Sequence, residues 1–282
     1  MLFLGHGYVA RRLVPVLAAQ GWALRGTGRD VTGRAPGTAD IAYQAGSGLP
    51  AGALNGIDHV LVSIPPDKDS GHVARDLAAE LAVAPGNVRW IGYLSATSVY
   101  GDAAGGWVDE STAPRPSSPR GSARLEDERT FLELGSANKI PVAIFRLAGI
   151  YGPGRSAFDQ LRAGQARRID KPGHFFSRIH VDDIVAVLQA AITRPRAGAI
   201  YNLADDEPAA SAEVAAYAAR LLGIEPPPLI AFDQAKSSMS PMALSFWSDN
   251  KRVANALIKS ELGVVLAFPN YRLGLKAIAA IP

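Results

Sequence analysis

The chain has 282 residues, 48% of them hydrophobic and 20% charged, with a formal net charge of +3. That balance describes a globular protein with a sizeable core, in one large or two modest domains, and gives no electrostatic reason to expect nucleic acid or a membrane as partner. Cysteine is absent, which excludes disulfides, thiol nucleophiles and cysteine-ligated metals. The five histidines show no HExxH-type spacing, so no metal site is expected. The opening MLFLG is too short for the apolar region of a signal peptide, and no stretch approaches the ~20 apolar residues of a membrane-spanning helix. The expected location is cytoplasmic.

MLFL reads as a first strand, followed by Val9, Leu13, Val16 and Leu17 at helical spacing. Pro15 lies inside that helix and is expected to kink it. Further strands are expected at 22–27 (WALRGT), 40–43 (DIAY), 59–64 (HVLVSI), 88–94 (VRWIGYL) and 142–148 (VAIFRLA). Helices fall between them at 72–82 and 124–134, giving the alternation of βαβ units and a parallel sheet. After residue 150 the rhythm changes. YGPGR and GQARRIDKPGHFFSR look irregular; a helix follows with Ile184, Val187, Leu188, Ala191 and Ile192 on one stripe, then a strand at 201–204 (YNLA). Ser211 is the expected cap of a last clear helix, whose Val214, Tyr217, Ala218 and Leu221 face inward and which ends at Gly223.

FLGHGYVA sets Gly5 and Gly7 directly after a strand and before a helix, in the form G-x-G-x-x-A with Ala10 at the last position. Small residues there let backbone approach a pyrophosphate, which the helix N-terminus then holds through free N–H groups and its dipole. Gly5, Gly7, Tyr8, Val9 and Ala10 are therefore the candidate cofactor loop, and its place in the first βαβ unit is the context that the motif requires. The residue reading the adenosine ribose belongs about 20 positions on, in RGTGRD. Thr27 stands at the position expected for an acid. Arg29 suits a 2′-phosphate and so NADP; Asp30 competes and would indicate NAD.

LSATSVYGD (94–102), RLAGIYGPGR (146–155) and RIHVDDI (178–184) follow the loop in that order. Together they resemble the extended short-chain dehydrogenase/reductase family, the NAD-dependent epimerase/dehydratase group, and within it the atypical YeeZ-like subgroup. The resemblance spans nearly the whole chain. It implies an α/β fold, a Rossmann-like doubly wound parallel sheet with a smaller, mostly helical C-terminal substrate lobe. The expected division is 1–150 plus 176–204 for the dinucleotide-binding domain and 151–175 plus 205–282 for the lobe. A nicotinamide dinucleotide cofactor is implied, and a homodimer is common in the family.

Members of the family carry a Ser or Thr ahead of VYG and a Y-x-x-x-K pair on the next long helix. Matching those motifs puts Ala96 at the hydroxyl position, Arg120 at the tyrosine and Arg124 at the lysine. All three usual catalytic groups are missing, and a guanidinium does not exchange protons near neutral pH. Both arginines also sit near the start of a helix opening at Ser118–Pro119, where the helix field opposes cations. There they can hold an anion, with Arg124 in the lysine's place on the ribose; the plain alternative is solvent, or pairing with Glu126, Asp127 or Glu128.

Thr97 and Ser98 join Arg120 and Arg124 as catalytic candidates. Tyr100 and Tyr151 read as packing residues and His180 as a structural join, with Asp182 or Asp183 capping the following helix. His174 is either the one imidazole facing substrate or an ordinary loop histidine. Arg120, Arg155, Arg178 and Lys171 together suggest a basic pocket for an acidic small molecule such as a nucleotide sugar. Two readings follow: an oxidoreductase or epimerase on an acidic, sugar-like metabolite with a non-standard acid/base, or a non-catalytic NADP(H)-binding sensor or scaffold.

Overall fold

Leu2–Leu4 form the strand (β1) around which the first unit is built, and all three side chains are fully buried, as a strand covered on both faces requires. The computed structural model describes residues 1–31, 40–66, 71–83 and 87–281. Helix α1 (Tyr8–Ala19) follows β1, then β2 (Arg25–Gly28), β3 (Ile41–Ala42), β4 (His59–Val62), α2 (His72–Val83), β5 (Trp90–Ala96) and α3 (Pro119–Asn138). The sheet is completed by β6 (Val142–Leu147) and β7 (Ala199–Leu203), with α4 (Val181–Thr193) between them. Strand order is β7-β6-β5-β4-β1-β2-β3, and the pairings β1–β2, β1–β4, β2–β3 and β4–β5 are all parallel. The order reverses between β1 and β4, and in open α/β sheets ligands bind at the carboxyl ends of the strands at such a switch. Leu2, Leu4, Val60, Val62, Ile91 and Tyr93 pack with Leu77 of α2 and Phe131 of α3 in one buried cluster. Each fully buried aliphatic or aromatic side chain there contributes about 1.5–3 kcal/mol.

By contacts the first unit comprises Met1–Ala96, Pro119–Arg146 and Val185–Tyr201, and the second Thr97–Ser118, Leu147–Ile184 and Asn202–Pro282. This differs from the expected division at four segments, 97–118, 147–150, 176–184 and 202–204, which pack with the second unit. The reason is strand pairing: Trp107–Val108 pairs with Arg252–Val253, and Arg178–His180 with Gly149–Tyr151. A further pair joins Arg168–Asp170 to Leu229–Ala231. Its core packs Phe158, Ala209, Val214, Ala218, Tyr271 and Leu275.

Several local expectations shift. The strand expected at 22–27 begins only at Arg25, because the Trp22 amide closes α1 on the Leu17 carbonyl and its ring lies edge-on to His59. The helix expected at 124–134 runs from Pro119 to Asn138. Helix α1 continues through Pro15 to Ala19. Ser211 is the first residue of its helix, not the cap; Ala210 takes that place. Among the described residues no helix is long and apolar enough to cross a membrane.

Candidate functional site

The glycine loop begins where β1 ends. Gly5 has φ +96°, and a Cβ there would lie 2.8 Å from Ser63 Oγ and 2.9 Å from Ile64 Cγ1, so only glycine fits. Its N–H donates to Thr27 Oγ1 at 2.9 Å, and its carbonyl accepts from Ser63 Oγ at 2.9 Å. Gly7 differs. It is the N-cap residue of α1 with φ −81°, and a Cβ added to it would meet nothing within 4 Å among the described residues. Helix α1 has no side-chain cap and no acidic residue in its first turn. Its leading amides lack i−4 carbonyls, and the helix field there favours an anion. Val9 and Ala10 turn their side chains into the core, so they can serve a ligand only through backbone; Tyr8 is half-buried.

This environment corrects the expectation for Thr27. Its side chain is 1% exposed and its hydroxyl is taken by Gly5, so it is not in position to read a ribose. Arg29 and Asp30 follow the end of β2, and both are exposed.

The second half of this site is the junction of β5 and α3, where one helix face grips three consecutive strand residues. Asp127 Oδ2 accepts from the Tyr93 hydroxyl at 3.0 Å, Arg124 Nη1 donates to the Leu94 carbonyl at 3.1 Å, and Ser95 Oγ donates to Glu128 Oε1 at 2.5 Å. Glu128 is itself held by Arg146, whose Nη2 lies 2.7 Å from Oε2; both side chains are at most 3% exposed. Asp127 also accepts from the Gly71 amide at 2.6 Å. Burial, with Asp127 alongside, keeps the Tyr93 hydroxyl protonated far above its ordinary range. Arg124 therefore has a definite task near the helix start, tying α3 to the end of β5. Arg120, one turn earlier, is exposed, and Ala96 ends the strand half-buried with no hydroxyl to offer. The sequence does not single out Ser63 or Ser95, and it offers Asp127 and Glu128 only as alternative partners of Arg120 and Arg124; the spacing of Glu128, one turn after Arg124, is the signal that sets it on the same face.

In the second unit, Thr97 and Ser98 lie half-buried in a short 3₁₀ turn, Thr97–Tyr100. Tyr100 donates to Asn202 Oδ1 at 2.8 Å, and Tyr151 packs edge-on to His180, consistent with packing roles. His180 Nδ1 accepts from the Asp182 amide at 3.2 Å, which makes it the join between strand and helix. Asp183 is not the cap expected: its carboxylate accepts from the amides of Ala267 and Phe268 at 2.7 and 3.1 Å, pinning a loop.

The cations expected to form a basic pocket are differently employed. Arg178 Nη1 donates to the carbonyls of Phe176 and Ala209 at 2.8 and 3.0 Å. Lys171 donates to the Trp247 carbonyl at 2.6 Å and sits 4.6 Å above the Phe232 ring. Arg155 is exposed in the turn that Gly152 and Arg155 close by mutual backbone bonds. His174 is buried between Phe176 and Trp247, not open in a loop; burial, then Lys171, lowers its pKa. Asp205 was not anticipated. It is 1% exposed, and its Oδ2 has no hydrogen-bond partner among the described residues. Burial pushes this carboxyl up to about 8, against the pull of the Glu207 amide and Arg178.

Fold and loop together define a Rossmann-type α/β protein. The profile of the NAD dependent epimerase/dehydratase family matches residues 72–204. A solved protein from Silicibacter pomeroyi DSS, described as functionally unknown and conserved, is 46% identical, with a TM-score of 0.88 over 99% of this chain and 97% of its own. Protein YeeZ of Escherichia coli (strain K12) is 27% identical over 94% of this chain and 95% of its own length. MoeE5, solved in complex with UDP-glucose and NAD, shares the fold at 21% identity and a TM-score of 0.79, over 99% of this chain and 96% of that one. Residues 72–204 thus carry the pattern of the NAD dependent epimerase/dehydratase family, on a chain whose fold is that of solved short-chain dehydrogenase/reductase proteins.

Three outcomes test this geometry. Glu128→Ala should lower unfolding stability by about 3–5 kcal/mol in denaturant titration, the cost of stranding a buried guanidinium. Gly5→Ala should fail to fold or melt far below wild type, while Gly7→Ala, whose methyl group enters open space, should melt within a few degrees of it. Asp205 has a folded pKa of about 8 against an ordinary 3.8, so its contribution is fully present below the lower value and is lost as pH rises toward the upper. Melting temperature should therefore fall more steeply between those values in wild type than in Asp205→Asn.

Proposed function

We propose that the protein binds a nicotinamide dinucleotide through the loop Gly5–Ala10 and acts with it as an oxidoreductase or epimerase on an acidic, sugar-like small molecule. The observation that carries the binding half is the start of α1: a helix N-terminus with no side-chain cap and no acidic residue in its first turn, beside a loop that admits no side chain at Gly5. Those features suit a pyrophosphate, and the family and the NAD bound by MoeE5 support the same ligand class. When bound, the nicotinamide supplies hydride transfer. The chain's own part is to hold the pyrophosphate on the first-turn amides and to present the exposed Arg29 to a 2′-phosphate, which favours NADP over NAD.

The chemical half rests on what remains where the usual Tyr and Lys are lacking. Arg120 is exposed and can pair with a substrate anion; Thr97 and Ser98 are the hydroxyls that follow Ala96 in sequence, Ser95 before it being taken by Glu128. The UDP-glucose bound by MoeE5 supports a sugar nucleotide-like substrate. A second reading, a non-catalytic NADP(H) sensor or scaffold, is favoured by one observation. Arg124, in the lysine's place, has Nη1 on a backbone carbonyl.

Calorimetric titration with NADP⁺, NADPH, NAD⁺ and NADH tests the binding half. The phosphorylated pair should bind more tightly, and Arg29→Ala should remove about tenfold of that preference, the equivalent of one charge-assisted contact. Gly7→Ala should weaken all four. Absence of binding by any of them overturns the proposal. Turnover of acidic carbonyl or nucleotide-sugar substrates, lost in Arg120→Ala, separates enzyme from sensor.

A further inference from the structure

Two hydroxyls, that of the buried Thr27 and that of the half-buried Ser63, act on the glycine loop from opposite sides. Strand β1 is flanked in the sheet by β2 and β4, and each neighbour contributes one hydroxyl just past β1's end. Thr27, in β2, accepts the Gly5 N–H at 2.9 Å. Ser63, directly after β4, donates its hydroxyl to the Gly5 carbonyl at 2.9 Å, and its amide donates to the Leu4 carbonyl at the same distance. Both polar groups of Gly5 are thereby bonded to side chains of the neighbouring strands, in a backbone conformation (φ +96°) with little steric preference of its own for glycine. Gly5 lies two residues ahead of the helix cap, so rotation of its peptide would redirect Gly7 and the leading amides of α1.

We infer that Thr27 and Ser63 are positioning residues for dinucleotide binding, a pair of hydroxyls that holds the Gly5 peptide so that the first turn of α1 is preset for a pyrophosphate. The inference rests on the proposed cofactor site and adds a role for two residues. Thr27 stands where an acid would read the ribose, and its hydroxyl points into the loop instead. Sugar recognition is thus left to the exposed Arg29 and Asp30. Ligand contact remains with backbone amides; the hydroxyls act through Gly5.

The test is fluorescence titration of NADPH and NADH into the full chain, for wild type, Thr27→Val, Thr27→Ser and Ser63→Ala, with a thermal melt of each. Valine keeps the branched shape and removes the acceptor, whereas serine keeps the acceptor. Thr27→Val should weaken both dinucleotides by about tenfold, the scale of one lost hydrogen bond to a buried amide, and Thr27→Ser should restore affinity to within about twofold. Ser63→Ala should weaken both in the same direction, and it carries the test if Thr27→Val does not fold. If Thr27→Val or Ser63→Ala melts lower yet binds both dinucleotides as wild type does, the hydroxyls are merely structural and the inference falls alone. A wild type that binds neither dinucleotide removes the cofactor reading and the inference with it.

Discussion

The buried pair of Glu128 and Arg146 is the constraint on which the β5–α3 junction depends. A carboxylate and a guanidinium taken out of water each carry a large desolvation cost, which is offset only by close geometry and satisfied hydrogen bonds. Here Arg146 on β6 reaches Glu128 through both Nε and Nη2, and Ser95 on β5 supplies the carboxylate with a further donor. Two adjacent strands and the helix that covers them are joined at one point. With Glu128 held, its neighbours on the same helix face fall into place: Asp127 against Tyr93, Arg124 against the Leu94 carbonyl. The question of why an arginine stands near the start of α3 is answered by this register, since Arg124 lies one turn before Glu128 and meets the strand one residue earlier.

The two glycines of the loop do different physical work, although the motif writes them alike. Gly5 is required by its neighbours, because the space beside it is filled by Ser63 and Ile64 and its backbone is left-handed. Among the described residues, nothing lies within 4 Å of a Cβ added to Gly7. Below the loop, Ala10 is fully buried, so the helix can sit close to the sheet.

The second unit uses its charges internally. Arg178 and Lys171 each place a donor on backbone carbonyls, Asp183 accepts two loop amides, and Asp205 is buried with its charge suppressed. A cation on a carbonyl fixes irregular backbone that has no ladder of its own, and this unit contains much irregular backbone between its short strand pairs. The basic cluster visible in the sequence is thus largely a set of loop ties. Arg155 and Arg120 are the members left exposed.

The sequence by itself determined the alternation of strands and helices, the glycine loop in the first βαβ unit, and the resemblance to the epimerase/dehydratase family. These are local properties: apolar periodicity, glycine where a left-handed or close backbone is needed, and motifs in order along the chain. Tertiary structure decided which charged residues are available. Thr27 looked like a ribose contact and Arg178 like a substrate contact, because spacing locates a residue along the chain but does not reveal what lies across from it. The Gly5 amide claims the first and the carbonyls of Phe176 and Ala209 the second. Their partners are distant in sequence, or are backbone atoms that every residue carries alike, so no pattern of side chains announces them. The same holds for Glu128 and Arg146, whose pairing depends on the two elements packing in one register.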